Sequence, residues 1–184
     1  MFSLTSYAVS QEDLVWTKQS FDNIQTNSQT NTGIIQDDKI LSRDMEVAKK
    51  ALTEALENKD KETLRLGLKN HRLLLSEKNS EALMNAVIEM KDITFVPNLT
   101  DALERNRGII AGGSESQGFQ NHLTKVIVKV LQELTGLHFD ISNSLTLEGE
   151  YNEQLKEINE VIKQSREWYK THQQECKSGT KKDR

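Results

Sequence analysis

One proline and one cysteine stand in a chain of 184 residues. So little proline removes the strongest helix breaker from almost the whole length. Cys176 alone rules out an internal disulfide or a cysteine-built zinc cluster, and leaves only a disulfide to a second chain. Aromatic residues make up 5%, which leaves few rings for stacking on bases or sugars. No apolar run approaches the roughly 20 residues that span a bilayer. A formal charge of -4 and a pI near 5.7 weigh against a general nucleic-acid binder, which is usually basic.

What is present favours amphipathic helices. The chain is 35% hydrophobic and 28% charged, with a mean hydropathy of -0.64, so the core is lean and the surface well solvated. The first ten residues read in two ways. Ala8-Val9-Ser10 carries small residues where a signal peptidase cuts, as in a signal-peptide remnant ending at Ser10. No Lys or Arg precedes it, as in the frayed terminus of a cytoplasmic protein, so the compartment is cytoplasmic or exported.

Residues 11–24 space Leu14, Thr17, Phe21 and Ile24 for one short helix, and 25–32 is a polar run that reads as a linker. From Asp44 the helical period is sustained. Met45, Ala48, Leu52, Ala55 and Leu56 share a face, and Asp60 is a candidate N-cap after the break at Asn58-Lys59. Leu64, Leu68, His71 and Leu75 predict a second helix running through Gly67, a costly helix-interior glycine that calls for a reason such as close helix approach, and Ser76–Asn79 a second break. Leu83, Ala86, Val87 and Met90 predict a third. The chain then turns at Asp92 and opens a fourth helix with Pro97, followed by Leu99, Ala102 and Leu103. The stretch from Arg107 to Gly118 holds four glycines and reads as the main interruption. Phe119, Leu123, Val126, Ile127, Val130 and Leu134 predict a fifth helix capped by Gly136. After a loop at 137–148, Tyr151, Leu155, Ile158, Ile162, Ser165 and Tyr169 predict the last. The polar residues after His172 read as a disordered basic tail.

Helices joined in pairs by short turns are the mark of an α-solenoid. Around Asp92, Val96-Pro97, Leu99 and Ala102-Leu103 the chain resembles a HEAT-like repeat. Leu134-Thr135-Gly136-Leu137-His138-Phe139 resembles the close of a final repeat in small bacterial HEAT-like proteins, which continue into a tryptophan-bearing helix, here with Trp168-Tyr169. The resemblance implies an all-α fold, a short right-handed α-solenoid, over residues 44–172, flanked by an N-terminal segment (1–43) and a tail (173–184). An irregular bundle of antiparallel helix pairs would use the same stripes.

Catalytic chemistry is not legible. His71, His122, His138 and His172 are scattered, with no pair at the spacing that puts two ligands on one helix face, so no metal is expected. Gly112-Gly113-Ser114 lacks the Gly-Lys-Ser/Thr ending of a phosphate loop and is followed by Glu115. Ser114 and Ser116 lack a nucleophile-elbow pattern, and no cofactor is expected. Glu54 with Glu57, and Glu157 with Glu160, read as solvated surface charge. The expectation is a non-enzymatic protein-binding or scaffold protein whose partner contacts include Arg105, Arg107 and Trp168. Two other classes fit the same chain. One is an accessory or lyase-like protein holding a small molecule in a groove near Trp168, His138 and the 106–118 loop. The other is an acidic immunity protein that neutralises a basic toxin.

Overall fold

The computed structural model describes residues 37–74, 77–111, 117–141 and 151–178, and every regular element among them is helical. In chain order these are α1 (Asp37–Asn58), α2 (Lys61–Lys69), α3 (His71–Leu74), α4 (Glu77–Met90), a 3-10 turn (Ile93–Phe95), α5 (Val96–Ala111), α6 (Gln117–Thr135) and α7 (Tyr151–Ser178). The short helix expected at 11–24, the linker at 25–32, the Gly112–Ser116 stretch and the loop at 142–148 lie outside the described residues.

The all-α class follows from the stripes. Leu52, Ala55, Leu64, Leu68, Leu83, Met84, Val87, Leu99, Leu103, Leu123, Ile127 and Ile158 all turn inward and form one core. α1 packs on α2 and α4, α2 on α5, α4 on α6, and α5 runs between α6 and α7. Gly67 has a packing reason. A Cβ there would sit 3.1 Å from Leu52 Cδ1 and 3.4 Å from Leu83 Cδ2, so glycine lets three helices close together.

Several boundaries differ from the sequence reading, each for a local reason. The first helix begins at Asp37, upstream of the apolar stripe that signalled it. The second does not run through to Leu75. Asn70 takes an extended conformation and its Oδ1 accepts the Leu73 amide at 3.2 Å, which ends α2 and caps α3. The break expected at Ser76–Asn79 is helical from Glu77. Gly108 does not open a loop, because α5 continues to Ala111 and places it on an exposed helix face. The tail expected after His172 remains helical to Ser178.

One pattern recurs three times. Ala48, Leu52 and Ala55 are buried on α1; Ser80, Leu83, Met84 and Val87 on α4; Thr124, Ile127, Val128 and Leu131 on α6. Each of these helices ends on a left-handed residue: Lys59 (φ 55), Lys91 (φ 50) and Gly136 (φ 71). At the first two turns an aspartate follows. Asp60 accepts the Glu62 amide and the Thr63 hydroxyl, and thirty-two positions later Asp92 accepts the Thr94 amide and hydroxyl.

Candidate functional site

The three residues expected to meet a partner lie on α5 and α7. Arg105 turns inward. Its NH2 donates to the Leu68 carbonyl at 2.6 Å, satisfying one of the orphan oxygens at the end of α2. Burial pulls this guanidinium below its ordinary value, while the carboxylates of Asp101 and Glu104 push the other way. Arg107 spans to the neighbouring helix, donating from NH1 to Asn159 Oδ1 at 2.7 Å. Trp168 is half-buried and stacks on His172, with ring centroids 4.2 Å apart and planes 11° from parallel. His172 Nδ1 lies 2.8 Å from the Trp168 carbonyl and 2.9 Å from the Thr171 hydroxyl.

These three are not gathered at one spot. Arg107 meets α7 at Asn159, and Trp168 is nine positions further along it, about 14 Å at the α-helical rise. Arg105 points toward α2.

The charged group that does converge was not singled out from sequence. Arg166 NH2 on α7 donates to Asp101 Oδ1 at 2.9 Å and to Glu104 Oε2 at 2.8 Å, both on α5. The Arg166 hydrogen bond holds the Glu104 carboxyl below the usual range, and partial burial opposes it. All three side chains are 40% or more exposed, so this is a surface clamp rather than an enclosed site. The partners are more than sixty residues apart, and no local pattern announces such a contact.

A second network knots the α4–α5 turn to α2. Lys61 Nζ reaches Asp92 Oδ2 at 2.6 Å, and Arg65 NH2 donates to Thr94 Oγ1 at 2.7 Å. The Arg65 guanidinium also lies 5.1 Å from the Phe95 ring centroid. Burial works against ionisation of Asp92, yet the bonds from Lys61 and Thr94 outweigh it and hold its carboxyl below the usual range. The repeated Lys-Asp pair was the available sequence signal. Deeper in, the fully buried Asn106 donates from Nδ2 to the Gln120 carbonyl and to Thr124 Oγ1, both at 2.8 Å, and so fixes α5 against α6.

The described histidines stay apart: His122 is 3.8 Å from Glu81, His138 3.4 Å from Gln132, and His172 is on Trp168. No group of three metal-ligating side chains occurs among the described residues. Of the carboxylate pairs, Glu54 meets Lys50 at 3.9 Å and Glu160 accepts from Gln164 at 2.9 Å. An open cleft of about 430 Å³ lies beside α6, lined by Lys125, Val128, Gln132, His138, Phe139, Asp140 and Ile141. His138 lines it and Trp168 does not. Among the described residues no helix is long and apolar enough to cross a membrane. No family model, curated protein or solved structure matches the chain.

Proposed function

We propose that this chain is a non-enzymatic binding scaffold, a short HEAT-like stack of three helix pairs that holds a protein partner. The observation that carries this reading is the thrice-repeated helix, with one buried pattern and one left-handed ending. In this arrangement α1, α4 and α6 form one row, and α2 with α3, α5 and α7 form the other. The contacts between α1 and α4, between α4 and α6, between α2 and α5, and between α5 and α7 support it. Such stacks end in units with a polar outer face. Position Leu56 of the first helix corresponds to Ile88 of the second and to Gln132 of the third, where a polar side chain turns to His138.

The contact surface of this scaffold is the α5–α7 face that carries Arg107 and the Trp168–His172 stack. Affinity capture with the full chain, followed by reconstitution of the purified complex, tests it. The expected result is a stoichiometric complex weakened by Arg107→Glu and by Trp168→Ala, but not by Lys78→Glu on α4. Equal binding by all three variants would discard this face. Substrate turnover by the isolated chain would discard the scaffold reading.

A further inference from the structure

We draw no further inference here: the strongest candidate, the open cleft on the flank of α6 between Lys125, Val128, Gln132 and the Phe139–Ile141 stretch, joins an apolar floor to a rim carrying both signs of charge, and nothing in the structure shows what covers it.

Discussion

Lys91 holds φ at 50°, a region that costs a residue with a Cβ roughly 1–2 kcal/mol. Lys91→Gly should therefore raise stability by up to about 1 kcal/mol, read as a higher urea midpoint at unchanged slope. Gly136 is the converse case, and Gly136→Ala should lose about 1 kcal/mol although its Cβ would meet open space. Gly108 sits in a helix with nothing within 4 Å of its would-be Cβ, so Gly108→Ala should gain about 1 kcal/mol by the same measurement. Gly67→Val should instead lose roughly 1–3 kcal/mol, because Leu52 and Leu83 already fill that space. Of these four positions, the capping role of Gly136 and the close helix approach at Gly67 were legible in the sequence. A glycine code cannot distinguish a helix interior from a turn, which is why Gly108 was expected in a loop.

Asp92 governs the joint between two elements, and its pH dependence has a definite sign. Its folded pKa lies below its unfolded value, so its contribution is present at neutral pH. The contribution fades as pH falls below the ordinary carboxylate value and is gone once pH passes below the lowered one. Asp92→Asn keeps a capping oxygen but loses the charge paired with Lys61, and should cost about 1 kcal/mol at pH 7. The variant should also lose the Asp92 share of acid destabilisation, so the two unfolding curves converge below pH 3.8. The Arg166 clamp is a weaker link. A double-mutant cycle between Arg166 and Glu104 should return about 0.2–1 kcal/mol and shrink in high salt. Helix existence was legible because the apolar stripes keep their period over several turns. Helix partners were not, since Arg166 with Asp101 or Arg107 with Asn159 depends on how α7 is laid against α5.

At the scale of the whole molecule, a stack and a single-core bundle predict different responses to damage. In a stack each unit touches only its neighbours, so injury stays local. Leu52→Ala should cost about 2–5 kcal/mol at its site. Amide exchange should then accelerate across α1 and α2 while α5, α6 and α7 keep their protection. Loss of protection everywhere at once would favour the bundle. The all-helical class was readable from composition and period, whereas stack and bundle could not be told apart, because amphipathic helices write the same stripe in either architecture.

The turns at Lys59-Asp60 and Lys91-Asp92 share one geometry, a lysine at positive φ followed by an aspartate whose carboxylate accepts the amide two positions on. Excising residues 60–91 would join Lys59 directly to Asp92 and restore the same Lys-Asp turn, so cooperative unfolding of the shortened chain would mean that the helices on either side of that turn are exchangeable, and failure to fold would mean that they are not.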